Sequence, residues 1–192
     1  MIKSIMVVDD FYDNPHEIRN YALSQQFDVT GNYPGYRTKP LINKESKTKL
    51  TDITQKLWGG IADFPTHVKD VNTYQGSYQW CPSWQKSWVH YDSWNSFACV
   101  IYLTPDAPLQ CGTALYRHKK TGITHKPENE SLCERLLEDG KDYTKWDITA
   151  RVGNVFNRAV VYPGTAFHAS IEYFGSDKDD ARLFQTFFFN KK

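Results

Sequence analysis

From about residue 70 the chain is cut into short runs rich in β-branched and aromatic residues: "DVNTYQGSYQW", "SWVHYDSW", "SFACVIYLT", "GTALYRHK", "NVFNRAVVYP", "AFHASIEYF" and "ARLFQTFFFN". Pro, Gly, Asp or Asn separates most of them, and short strands with turns between them predict a sandwich or jelly roll. Aromatic residues make up 15% of the chain, which favours strands and large cores over a plain helical bundle.

The N-terminal third reads differently. "SIMVVDDF" is a short strand. In "DNPHEIRNYALSQ", Asn14 is placed to cap a helix, Pro15 suits its first position, and Ile18, Tyr21 and Ala22 supply an apolar face. "TGNYPGYRTKP" is loop, with Pro34-Gly35 suited to a type II turn. "ESKTKLTDITQKLWGGI" is a second helix, with Leu50, Ile53, Leu57 and Trp58 at helical spacing and Gly59-Gly60 ending it. The expected architecture is mainly β with flanking α-helices, in one domain spanning residues 1–192. Residues 1–65 supply the first strand and the helices, and residues 70–190 the β core. Residues 119–150 are polar, carry one short helix around 132–137, and read as an insertion of the kind that often forms a lid.

Lys and Arg total 23 against 22 Asp and Glu, so the formal charge of +1 gives no reason to expect a long phosphate backbone as partner; nucleic acid is disfavoured. The lysines of "NKESKTK" read as a solvated face. Cys81, Cys99, Cys111 and Cys133 form no Cys-x-x-Cys pair, which fits reduced thiols. The N-terminus lacks the apolar core of a signal peptide, and no segment reaches the length of a membrane span. The expectation is a soluble, cytoplasmic protein of unknown oligomeric state.

Within "WVHYDSW", His90 and Asp92 stand two apart, so on a strand they share one face while Tyr91 takes the other. Alone this spacing is weak, because chance supplies His-x-Asp/Glu readily. An iron site of two imidazoles and one carboxylate needs a second histidine, and His168 is the candidate, since it follows a strand and the Pro163-Gly164 turn. Arg182 opens "ARLFQTFFF", a strand apolar on both faces, where a buried guanidinium needs an anion. A dicarboxylate cosubstrate would serve through a bidentate pair; Asp179, Asp180 or Glu172 would serve as well.

As a set these segments resemble the Fe(II)/2-oxoglutarate-dependent dioxygenases, prolyl-hydroxylase-like branch. "HYDSWNSFACVIYLTPDAPLQCGTALY" is similar to that branch's His-x-Asp, a strand ending Tyr-Leu, and then Gly-Gly-x-Thr, with Cys111 replacing one glycine. "VYPGTAFHAS" resembles its aromatic-Pro-x-His segment, and "ARLFQTFFF" its arginine-bearing strand. The resemblance covers roughly residues 74–190 without the insertion. It implies a double-stranded β-helix of the jelly-roll, cupin-like type, with Fe(II) bound by His90, Asp92 and His168. It also implies Arg182 and Tyr102 on the far carboxylate of 2-oxoglutarate, O2 as co-reactant, and hydroxylation of a peptidyl, amino-acid or other small-molecule C–H bond. The interval from His168 to Arg182 is longer than in the branch, and "FGSDKDD" reads as the enlarged loop that absorbs it.

For the pocket wall the sequence offers Tyr78, Trp80 and Thr113, with Arg117 and His118 as weaker guesses. The tryptophans 80, 84, 88 and 94 would shield an oxidising centre, or simply fill core. His16, His67 and His125 read as surface residues; Asn72 and Asn157 could support ligands from behind. Two rival readings remain: a non-catalytic jelly-roll binding module, and a zinc-dependent hydrolase using the same three ligands.

Overall fold

The computed structural model describes residues 5–64, 74–92 and 94–191; His67 and Asn72 lie outside them. In chain order the elements are β1 (Met6–Val8), α1 (Pro15–Leu23), β2 (Tyr36–Arg37), α2 (Lys44–Trp58), β3 (Ile61–Asp63), β4 (Ser77–Cys81) and β5 (Phe97–Tyr102). There follow β6 (Thr113–His118), α3 (Glu130–Asp139), a 3-10 turn (Tyr143–Lys145), β7 (Trp146–Val152), β8 (Ala159–Pro163), β9 (His168–Ser170) and β10 (Arg182–Lys191). The larger sheet runs β1-β8-β5-β10-β4-β2, with β3 on the end of β10, and the smaller β7-β6-β9. Mainly β, with helices outside two facing antiparallel sheets, this is a double-stranded β-helix.

Period-two alternation sorts the side chains into layers. Leu183, Phe187 and Phe189 of β10 join Tyr78, Cys99, Ile101 and Val161 on the outer face of the larger sheet, packed with Ala22 of α1 and Leu50 of α2. Phe184 of β10 joins Cys81, Val100, Tyr102, Val160 and Tyr162 on the inner face, with Val152 of the smaller sheet closing over them. Outside the smaller sheet, Ala114, Tyr116, Phe167 and Ala169 pack with Val89, Trp146 and Leu136 of α3. Residues 89–92 follow the same rule: Val89 and Tyr91 pack into that outer layer, which turns His90 and Asp92 inward.

The helix ends show where local signals compete. Asn43 caps α2, its side chain accepting from Ser46 N at 2.7 Å, and Gly59 closes the helix at φ 81°. Asn14 precedes α1 but makes no side-chain cap bond; its carbonyl takes the Glu17 and Ile18 amides. Gly35 has φ 77°, as a type II turn requires.

Residues 119–150 are not a loop laid over the core. Their last five belong to β7, and residues 124–126 are hydrogen-bonded to 165–167, with Phe167 N donating to Thr124 O and Lys126 N to Thr165 O. Leu136 is fully buried beneath the smaller sheet. Val89 N donates to Gly140 O at 2.9 Å, and a Cβ on Gly140 would sit 2.1 Å from the Val89 carbonyl oxygen. The segment thus buttresses the stretch carrying His90. Leu136→Ala should therefore cost about 2–5 kcal/mol in chemical denaturation. A loss below about 0.5 kcal/mol, the size of a surface substitution, would restore the lid reading.

Candidate metal centre and its surroundings

His90 and His168 face each other in an isolated antiparallel bridge, His90 N donating to His168 O at 3.0 Å and His168 N to His90 O at 2.8 Å. Asp92 is fixed by its amide, which donates to Gly164 O at 2.7 Å. One ligand atom from each of His90, Asp92 and His168 lies within 4.8 Å of the others, the one such group among the described residues. His90 Nδ1 is 3.0 Å from Trp88 O and His168 Nδ1 2.9 Å from Ala166 O. A carbonyl only accepts, so both Nδ1 atoms donate and each neutral ring presents the Nε2 lone pair. Burial, and then the adjacent His90, push His168 down to about 4, so its ring is neutral at neutral pH.

Two imidazoles and one carboxylate brought together on one side suit an open-sided divalent centre such as non-haem iron. His168 is buried, whereas His90 and Asp92 are half-exposed, so the centre is approachable from their side. Its Nε2 lies 3.5 Å from Asp92 Oδ2.

Arg182 is 1% exposed. Its Nε donates to Cys111 O at 3.1 Å, while among the described residues Nη1 and Nη2 have no hydrogen-bond partner. Phe184, Tyr102 and Tyr173 surround the guanidinium, with ring centroids 4.4, 5.3 and 5.7 Å away. The acidic residues that could have neutralised it are occupied elsewhere or unpaired with it. Asp180 accepts from the Ser176 and Asp177 amides, Asp179 pairs with nothing on Arg182, and Glu172 lies 4.0 Å from Cys111 Sγ. A buried fork with two idle nitrogens fits a carboxylate ligand. Tyr102, also fully buried, donates to Thr113 Oγ1 at 2.8 Å across the two sheets. The close turn before Thr113 requires Gly112, where a Cβ would meet Val152 O at 1.8 Å.

The structure does not bring every candidate residue here. Tyr78 and Trp80 point to the outer face of β4, where Tyr78 meets Tyr21 of α1 and Trp80 stacks on Tyr36 at 4.3 Å. Opposite Arg182 and Phe184 stand Cys81 and Gln79, so these, not Tyr78 and Trp80, share the inner face. His118 is buried outside the smaller sheet, its Nε2 3.2 Å from Asp139 Oδ2 and its ring edge-on to Trp146. Arg117 pairs with Asp147 at the surface. Trp84 and Trp94 are 58% and 84% exposed and shield nothing; Trp88 lies beside His90, ring centroids 5.9 Å apart. Asn157 supports no ligand but ties Tyr12 to the core through Oδ1 and Nδ2. His16 is exposed, and His125 is half-buried in a bridge to Ala166. Among the described residues no helix is long and apolar enough to cross a membrane.

Similar architectures occur among solved structures. HygX from Streptomyces hygroscopicus, with nickel, 2-oxoglutarate and hygromycin B bound, superposes with a TM-score of 0.62 at 9% identity, over 98% of this chain and 83% of that one. The non-haem α-ketoglutarate-dependent epimerase SnoN from nogalamycin biosynthesis gives 0.60 at 11% identity, over 97% and 78%. A prolyl hydroxylase from Trichoplax adhaerens, in complex with a hypoxia-inducible-factor peptide fragment, gives 0.55 at 11% identity, over 98% and 84%. These likenesses establish a fold shared with 2-oxoglutarate-dependent oxygenases and do not single out the prolyl-hydroxylase-like branch. No curated protein matches the chain in sequence. A family does: residues 2–189 match the one described as "Family of unknown function (DUF6445)", and the chain belongs to it.

Proposed function

We propose that this protein is an Fe(II)- and 2-oxoglutarate-dependent oxygenase, with His90, Asp92 and His168 as metal ligands and Arg182 as the anchor of the far cosubstrate carboxylate. The observation that carries this is the buried Arg182 with both Nη atoms idle in the same inter-sheet layer as the three ligands. A zinc hydrolase would use the triad and leave Arg182 unexplained, and a binding module would need neither. The HygX structures, which contain 2-oxoglutarate with nickel, and iron, support the choice of groups.

With iron, 2-oxoglutarate and O2 bound, the centre would supply an oxidant able to take hydrogen from a C–H bond while the cosubstrate is decarboxylated to succinate. The chain's own part is positioning and exclusion of water. The Trp88 and Ala166 carbonyls hold both imidazoles in the metal-binding tautomer. Arg182 offers a pre-aimed fork, so little ordering is needed when a carboxylate arrives. Tyr102 reaches the same region, but its hydroxyl donates a hydrogen bond to Thr113 Oγ1, so the Thr113 hydroxyl, rather than that of Tyr102, would be the one free to donate to a cosubstrate oxygen. Phe184, Val160 and Tyr162 make the floor apolar. The oxidised substrate is a peptidyl, amino-acid or other small molecule.

Anaerobic titration of the apo-protein with Fe(II) and 2-oxoglutarate should produce the weak visible charge-transfer band of the chelate. His168→Ala should abolish it. A well-folded wild-type protein that binds the metal and gives no band would favour the zinc site, and one that binds neither would favour the binding module.

A further inference from the structure

Arg37 and Arg182 are the two arginines buried among the described residues. Arg37 stands on the edge strand β2 opposite Gln79, which stands opposite Phe184, which in turn stands opposite Tyr102. Residues directly opposite in antiparallel strands point to the same side, so Arg37 ends a row across the inner face of the larger sheet. Tyr33 and Tyr74 pack against its guanidinium, centroids 3.6 and 4.1 Å away, with the two rings at 84° to each other and their centroids 5.4 Å apart. Gln79 Oε1 accepts from both Nε, at 2.8 Å, and Nη2. The Gln79 amide nitrogen donates to Pro34 O, which fixes the amide with its oxygen toward the arginine.

This cage holds the guanidinium rigidly without neutralising it. Gln79 uses the Nε/Nη2 edge, and among the described residues Nη1 has no hydrogen-bond partner. The Nη1/Nη2 edge, on which a carboxylate can lie with two parallel hydrogen bonds, is therefore free. Burial lowers Arg37 to about 10, which still leaves it cationic at neutral pH, and Asp92 is the carboxylate whose field helps keep it charged. Arg37 thus lies within the electrostatic reach of Asp92, on the same inner face as Phe184 and Arg182.

We propose that Arg37 anchors the substrate: the molecule oxidised at the His90–Asp92–His168 centre carries a carboxylate that binds the Nη1/Nη2 edge of Arg37. The assignment deepens the oxygenase reading and rests on it. It narrows the substrate to a carboxylate-bearing molecule and separates that group from the cosubstrate carboxylate assigned to Arg182. Arg37 binds substrate on this account and takes no part in bond making.

The test uses the full chain labelled with 15N-arginine, with Arg37 and Arg182 side-chain signals assigned by Arg→Lys variants. Acetate and neutral acetamide are titrated at matched ionic strength, into protein saturated with Zn(II) and 2-oxoglutarate and into the metal-free protein. Acetate should move the Arg37 Nε–H signal saturably in both, at least about tenfold more tightly than acetamide, as expected for a charge-assisted pair. Gln79→Glu neutralises the guanidinium from its other edge and should weaken acetate about tenfold while 2-oxoglutarate affinity changes less than about twofold. This variant keeps the size of the buried side chain and, by shifting the Nε–H that bonds residue 79, itself identifies the Arg37 signal, so the test stands even where Arg37→Lys fails to fold. Equal responses to acetate and acetamide, or undiminished acetate binding in Gln79→Glu, overturn the assignment. Failure of the oxygenase reading is separately visible as absence of 2-oxoglutarate binding, and the metal-free arm still judges Arg37.

Discussion

Arg182→Met is expected to leave the ligand-free protein as stable as the wild type, or more so, while lowering 2-oxoglutarate affinity by about 10²–10³-fold, the cost of removing one member of a buried charge pair. The stability half follows from the inventory of contacts. Arg182 is 1% exposed, makes one hydrogen bond to Cys111 O, and leaves two nitrogens idle. Losing that bond costs about 1 kcal/mol, and losing the aromatic contacts costs a similar amount for each significant one. Against this stands the penalty of enclosing an unneutralised charge, several kcal/mol, which methionine removes while filling much of the same space. The cleanest readout is a pair of thermal melts with and without Zn(II) and 2-oxoglutarate: the ligand should raise the midpoint of the wild type and leave that of the variant unmoved. A large fall in the ligand-free midpoint would instead assign Arg182 a structural duty, and an unchanged 2-oxoglutarate affinity would remove it from the site.

The sequence made Arg182 suspect because a period-two strand apolar on both faces began with a cation. What it could not show was whether Asp179, Asp180 or Glu172 answered that charge. Asp180 turns back on its own loop, accepting the Ser176 and Asp177 amides, a local bond invisible in strand patterning. The seven strand runs were legible from alternation and turn residues, and five of them contain strands of five residues or more. By contrast β7 begins inside residues 119–150 and gives no strand pattern, because "WDITARV" is mostly polar or exposed on an edge strand. β2 is two residues long and carries no periodic signal that could place Arg37 on a sheet face. Tyr78 and Trp80 precede His90 on the expected neighbouring strand, which makes them pocket-wall candidates by position. Face parity would have corrected the choice: counting by two back from Cys81, which pairs with Arg182, selects Gln79 and Ser77. That count requires the β4–β10 register, which only the folded sheet supplies.

Asp92→Ala is expected to lower Co(II) or Fe(II) affinity by more than about 100-fold, beyond the 10–100-fold typical when only a supporting partner of a ligand is lost. The centre would keep two neutral imidazoles and lose its only anionic donor, so both a bond and the charge compensation of the cation disappear. Folding should be little affected, because the register of this stretch is set by backbone bonds, Asp92 N to Gly164 O and the paired His90 and His168 amides. A comparison within the same protein sharpens the reading. His118 and Asp139 approach to 3.2 Å, closer than the 3.5 Å between His168 and Asp92. Proximity of a histidine and an aspartate therefore cannot mark the site. Among the described residues His118–Asp139 lacks a third ligand, and Lys145 already pairs with the Asp139 carboxylate. His118→Gln should accordingly loosen the packing against Trp146 and lower the melting midpoint, yet change metal affinity by less than about twofold, since no ligand is touched. Titrations of the two variants followed by the Co(II) visible spectrum decide between the pairs. Wild-type-like affinity in Asp92→Ala would refute the triad, and lost affinity in His118→Gln with the fold intact would move the centre to the other side of the smaller sheet.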